Sequence, residues 1–190
     1  MRQTVKITVD DISLIFSSLR FASSKHQDQR RKGGRASPYI NHLIDVAEIL
    51  WNSGGIRDVD TVVAGILHDI IEDTETSQEE LETAFDHTIC LIVQEVTDDK
   101  SLPKHTRKRL QVERAKGLSH QARQVKIADK ISNILDIMES PPTDWSLNEQ
   151  REYVDWAEEV INRVRGTNER LEGYFDKVCA EARRKFEDMK

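Results

Sequence analysis

Residues 59–71 read VDTVVAGILHDII, and the reading of this stretch decides the fold. Val62, Val63, Ile66, Leu67, Ile70 and Ile71 recur at three- and four-residue intervals, the period of an α-helix rather than the two-residue alternation of a strand. They cover so much of the circumference that a helix starting near Asp58 has to be central, with other helices packed around it. His68 and Asp69 interrupt the apolar run, and Glu72 and Asp73 follow it directly. Burying such groups without partners is costly, so the stretch that sets the fold also raises the question of function.

The helical period continues on both sides. Upstream, a first helix is predicted over about Asp10 to Lys25, with Ile12, Ile15, Phe16, Leu19 and Phe21 as its apolar side. The polar loop QDQRRKGGRASP, broken by Gly33, Gly34 and Pro38, leads into a second helix, YINHLIDVAEILWNS, that stops at Gly54-Gly55. Downstream, TETSQEEL gives a loop and a capping box, Ser77 with Glu80, opening a fourth helix toward Phe85. Further helices are expected at about 87–96, 103–116, 121–139, 147–165 and 168–189, with ESPPTDW as a linker. No run alternates strictly, and no repeat or shift of composition divides the chain. The expectation is an all-α, compact multi-helix bundle with residues 1–190 as a single domain. The C-terminal helix, with Leu171, Tyr174, Phe175 and Val178 on one side, reads as a packing helix or a homodimer contact.

Composition excludes several classes. In 190 residues, 33% are charged and 37% hydrophobic, with 4 Pro and 8 Gly, the balance of a helix-rich soluble chain. The net charge of −6 argues against a general nucleic-acid surface, so an anionic ligand needs a local basic patch. No apolar run approaches the ~18 residues that span a bilayer, and MRQTVKITVDD lacks a secretory core. Cys90 and Cys179 stand far apart without disulfide or zinc spacing, which fits a cytoplasmic protein with reduced thiols.

The chemistry is expected at His68-Asp69. In a continuous helix His68 and Glu72 share a face, as do Asp69 and Asp73, and the adjacent pair can converge on one point. Imidazole with carboxylate suits Mn²⁺, Fe²⁺ or Zn²⁺, and the lack of a thiolate partner argues against structural zinc. A His-Asp pair alone also describes a hydrogen-bonded core histidine, so further ligands are needed. His42, inside YINHLIDVAEIL, and Asp129, inside QVKIADKISNIL, are the other ionisable groups embedded in strongly apolar helices. His26, His87, His105 and His120 have polar or boundary surroundings and read as surface groups. Glu72 and Asp73, one turn beyond the pair, are placed to orient or deprotonate a water.

The order His42, His68-Asp69, Asp129 resembles the signature of the HD phosphohydrolase superfamily. RRKGGRASPYINH, GILHDIIEDTET, VTDDKSLPKHTRKRLQVE and VKIADKISN are similar, in order and spacing, to the hydrolase domain of the RelA/SpoT proteins, in particular the stand-alone metazoan SpoT homologues and their bacterial relatives. The similarity runs from about Phe21 to Leu171. It implies that His42, His68, Asp69 and Asp129 hold one Mn²⁺ and that Glu72 and Asp73 act on the attacking water. It also implies that Arg31 stacks on a purine, that Lys32 reaches polar groups of the ligand, and that Asn133, Lys104 and Tyr153 contact the nucleotide. Leu43 stands where the family commonly has Pro, Asp45 at a small or apolar position, and Asp86 in place of a Gly. The activity implied is a Mn²⁺-dependent 3′-pyrophosphohydrolase of the guanosine alarmones (p)ppGpp, without synthetase activity. The alternatives are an NADPH 2′-phosphatase and a non-catalytic nucleotide-binding or helical interaction protein.

Overall fold

The computed structural model describes residues 7–189; residues 1–6, part of the N-terminus read for a signal, and residue 190 lie outside them. It contains ten α-helical segments and, among the described residues, no strand. The central helix is α3 (Val59–Leu67), in which nearly every residue is buried. Around it lie α1 (Val9–Lys25), α2 (Ile40–Glu48), α6 (His87–Val96) and α8 (His120–Glu139). The short α5 (Gln78–Ala84) packs on α6, while α7 (Lys104–Arg114) and α10 (Glu169–Asp188) both pack on α9 (Leu147–Asn162). α10 also lies along α8, burying Leu171, Phe175, Val178, Cys179, Ala182 and Phe186. No helix is long and apolar enough among the described residues to cross a membrane.

Several expectations are corrected. The third helix does not run through to Ile71: it stops at Leu67, and a one-turn helix, α4 (Ile70–Asp73), starts after the His68-Asp69 pair. Asp69 sits at φ −98°, ψ 2°, the bridge region that a continuing helix avoids. α2 ends in a π-helical turn over Ile49–Ser53, and α7 in a 3₁₀ turn over Ala115–Gly117. Ser77 caps α5 by accepting from the Glu80 amide at 3.1 Å, but the Glu80 carboxylate does not close the box; it pairs with Lys25 at 2.6 Å, joining α5 to α1. On α1 the buried residues are Ser18 and Ala22, whereas Ile12 and Phe16 stay exposed. Asp86, standing for the family's Gly, caps α6 by accepting from the Thr88 amide at 2.8 Å.

Candidate metal centre and ligand cavity

Three elements deliver the expected ligands to one point. His42 comes from α2, His68 and Asp69 from the break between α3 and α4, and Asp129 from the middle of α8. The break matters because it turns Asp69 off the α3 axis while Leu67 and Ile70 stay in the core. His42 Nε2 lies 3.8 Å from Asp69 Oδ2 and 3.5 Å from Asp129 Oδ1. His68 Nε2 lies 3.1 Å and 3.7 Å from the same two oxygens. His42, His68 and Asp69 each offer a donor atom within 4.8 Å of the others.

The hydrogen bonds behind these atoms fix their use. His68 Nδ1 donates to the Gly65 carbonyl at 2.8 Å, which leaves Nε2 facing the carboxylates, where it makes no hydrogen bond among the described residues. His42 Nδ1 bonds Ser132 Oγ at 2.9 Å, again leaving Nε2 for the centre. Asp129 gives Oδ2 to Lys130 Nζ at 3.0 Å and points Oδ1 at the imidazoles. Tyr39 donates its hydroxyl to Asp69 Oδ2 at 2.5 Å. Burial pulls both imidazoles down; at His68 the Asp69 and Asp129 carboxylates reverse this and push it up to about 10, whereas His42 stays below its ordinary value. Burial opposes ionisation of Asp69, yet its carboxyl is held low by the His68 charge. Without a metal the His68 imidazolium balances part of the charge of the two buried carboxylates; a divalent metal would replace that proton as countercharge, with both imidazoles neutral. The residues therefore fit a metal of the His/Asp-binding kind.

Beside this centre are Glu72 and Asp73. Glu72 Oε2 accepts from the Asp98 amide at 2.9 Å and Oε1 lies 3.4 Å from Arg107 Nη1. Burial pushes its carboxyl up to about 7, and Asp69, Asp98 and Asp73 add to that. Asp73 Oδ2 accepts from Gln29 Nε2 at 2.8 Å, and Oδ1 pairs with Lys100.

Asp73 also lines a cavity of about 360 Å³ that contains Arg31, Lys32, Asn133 and Tyr153. Arg31 Nε donates to Asp136 Oδ2 at 2.6 Å and Nη2 to Asn133 Oδ1 at 2.7 Å, with its guanidinium over the Tyr39 ring. Asn133 in turn donates to Asp129 Oδ1, so the basic loop is linked by hydrogen bonds to the metal centre. Burial pushes the Tyr153 phenol up to about 12, keeping it a neutral donor. Lys104 is not among the cavity-lining residues; it is exposed, with Nζ 5.3 Å from the Trp145 ring centre, and the lysine in the lining beside Lys32 is Lys100.

Sequence reasoning missed Gln29, Tyr39, Lys100, Lys130 and Asp136. Tyr39 precedes His42 by three residues, and Asp136 follows Asn133 by three and Asp129 by seven, so helical spacing could have found both; Lys130 adjoins Asp129, and Gln29 and Lys100 carry no local signal. One histidine was placed wrongly: His26 is buried, at 2% exposure, because it turns inward where α1 ends and stacks on Tyr39. Leu43 is fully buried in the core. Asp45 lines a separate acidic groove of about 590 Å³ with Glu48, Asp136 and Glu139, where burial and those carboxylates push it up to about 6.

A family profile described as HD domain matches residues 18–155. The guanosine-3′,5′-bis(diphosphate) 3′-pyrophosphohydrolase MESH1 of Danio rerio is 48% identical over 169 residues, covering 89% of this chain and 94% of that protein. Its Homo sapiens namesake is 47% identical over 152 residues, 80% of this chain and 85% of that protein. Among solved structures, one described as "A metazoan ortholog of SpoT hydrolyzes ppGpp and plays a role in starvation responses" superposes with a TM-score of 0.86 at 39% identity, covering 94% of this chain and 98% of that one. With the motif residues gathered as above and relatives of this similarity along most of its length, the chain belongs to the HD-domain family of metal-dependent phosphohydrolases.

Proposed function

We propose that the protein is a Mn²⁺-dependent 3′-pyrophosphohydrolase that converts (p)ppGpp to GDP or GTP and pyrophosphate. The observation that carries the reading is the convergence of His42, His68, Asp69 and Asp129 behind a basic and aromatic cavity, two of whose lining residues, Tyr39 and Asn133, hydrogen-bond the ligands Asp69 and Asp129. The relatives named for this reaction support it. When bound, the metal supplies a Lewis acid that acidifies a water and polarises phosphoryl oxygens. Asp73 would take the proton of the water that attacks the phosphorus carried on the 3′ oxygen. The bond from that phosphorus to the 3′ oxygen breaks, and Glu72, close to neutral in its acidity, delivers a proton to the leaving oxygen. Lys32 and Lys100 offset the diphosphate charge, and Arg31, backed by Asp136, offers a flat face to the purine. Asn133 and Tyr153 contact the nucleoside, with Lys104, over the cavity-lining Trp145, an outer contact. The same proposal takes residues 1–190 as one cytoplasmic hydrolase domain, acting on a nucleotide and not on nucleic acid or membrane.

The test is a nucleotide panel with Mn²⁺ and other divalent ions, on the wild type and on Asp73→Asn. The expected result is ppGpp consumption with pyrophosphate release, reduced at least ~100-fold by the substitution. Negligible ppGpp turnover beside brisk NADPH dephosphorylation would move the protein to the phosphatase alternative.

A further inference from the structure

His26 has no place in the reaction described above, yet it is a buried histidine within two hydrogen bonds of a reacting group. Its Nδ1 lies 2.5 Å from Gln29 Oε1, and Gln29 Nε2 lies 2.8 Å from Asp73 Oδ2. The direction of this chain follows from the donor inventory alone. An ionised carboxylate only accepts, so the amide nitrogen of Gln29 must face Asp73 and its oxygen must face His26. His26 Nδ1 therefore carries the proton. Its ring is stacked on Tyr39, with centroids 5.0 Å apart and planes 17° apart, and its Nε2 meets no partner among the described residues.

We infer that His26 and Gln29 are positioning residues that set the direction of the Asp73 carboxylate, an inference that rests on Asp73 as the proton acceptor. Asp73 ends a helix of one turn, so its own element holds it weakly. Lys100, with a half-exposed side chain, holds only Oδ1. Gln29 holds the other oxygen, Oδ2, from a loop 44 residues away in sequence. A glutamine has three rotatable side-chain bonds, and the His26 proton fixes the far end of the amide against a ring that is itself wedged in place.

An apolar ring of similar size would be cheaper at position 26, because the imidazole buries a second nitrogen for the sake of one hydrogen bond. The structure thus predicts a division between stability and activity. His26→Phe keeps the ring on Tyr39, so its melting temperature should equal or exceed that of the wild type while turnover falls.

The decisive experiment is a double-mutant cycle in ppGpp hydrolysis with Mn²⁺, joined to imidazole tautomer measurement by long-range ¹⁵N NMR on the metal-free protein. Gln29→Leu and His26→Phe should each lower kcat by about 10- to 100-fold with KM within about twofold. In the Asp73→Asn background Gln29→Leu should cost nothing more. His26 should be the Nδ1–H tautomer in the wild type and lose that preference in Gln29→Leu. Unchanged kcat, or an equal cost of Gln29→Leu with and without Asp73, overturns the proposal; so does an Nε2–H imidazole in the wild type. Full activity in Asp73→Asn beside an Nδ1–H imidazole overturns the role of Asp73, and this inference with it. If His26→Phe fails to fold, Gln29→Leu alone completes the cycle.

Discussion

Glu72 shows how one side chain trades stability for chemistry. Its folded pKa of about 7 stands above the ordinary value of 4.5, so the folded chain binds this proton more tightly than the unfolded chain does. The resulting stabilisation is complete below about pH 4.5 and is lost as the pH rises through about 7. At pH 8 the ionised group is a burden that Glu72→Gln removes while keeping an acceptor for the Asp98 amide. In metal-free protein the substitution should raise stability at pH 8 by about 1–3 kcal/mol and leave it nearly unchanged at pH 4. Urea unfolding at the two pH values measures this, and an equal effect at both would refute it. Residues such as Glu72 and Asp129 were legible in the sequence because an ionisable group beside a run of aliphatic residues is costly to bury unless a cation or a reaction makes use of it. His26 and Gln29 were not, since a polar loop conceals that its side chains turn inward to partners far along the chain.

At the level of elements, the loop between α1 and α2 forms one wall of the cavity. Gly33 pairs its backbone with Pro142 of the linker before α9, and a Cβ at Gly33 would lie 2.1 Å from the Ser140 carbonyl oxygen. Gly33 is thus required by a close approach of two backbones, not merely as a helix breaker. Gly33→Ala should push the loop away from the linker, displacing Arg31 and Lys32 from the cavity they line. Because the metal ligands lie on other elements, KM should rise by about 10-fold or more with metal affinity preserved, a pattern of lost substrate binding. Kinetics paired with calorimetric metal titration would separate this from general unfolding, in which both would fall together. The helices themselves were readable from apolar period. The break at His68-Asp69 was not, because local sequence favours continuing the helix, and only the need to bring Asp69 and Asp129 to one centre favours stopping it.

Across the whole molecule, the metal centre depends on packing remote from it. α8 carries Asp129, Lys130 and Asn133 on the side facing the ligands, and α10 covers its other side with Phe175 and Phe186, both buried. The sequence offered two readings of α10, packing helix or dimer contact, and could not choose because an apolar stripe looks the same against either partner. Its burial against α8 supports a packing role. Phe175→Ala should cost about 3–5 kcal/mol, the usual range for emptying a core phenylalanine site. Trp156, which packs near Lys130 and donates to the Lys108 carbonyl, offers a fluorescence signal from the site end of the bundle once Trp51 and Trp145 are replaced by Phe. If the chain is one cooperative unit, that signal and the far-ultraviolet helix signal should move to lower denaturant together in Phe175→Ala. Saturating metal should shift both upward by the same amount, about 2.7 kcal/mol at a hundred times Kd. A Trp156 transition that stays put while part of the helix signal melts early would instead make α10 a separate unit, and the support of Asp129 would have to come from the packing of α8 on α2, α3, α6 and α9.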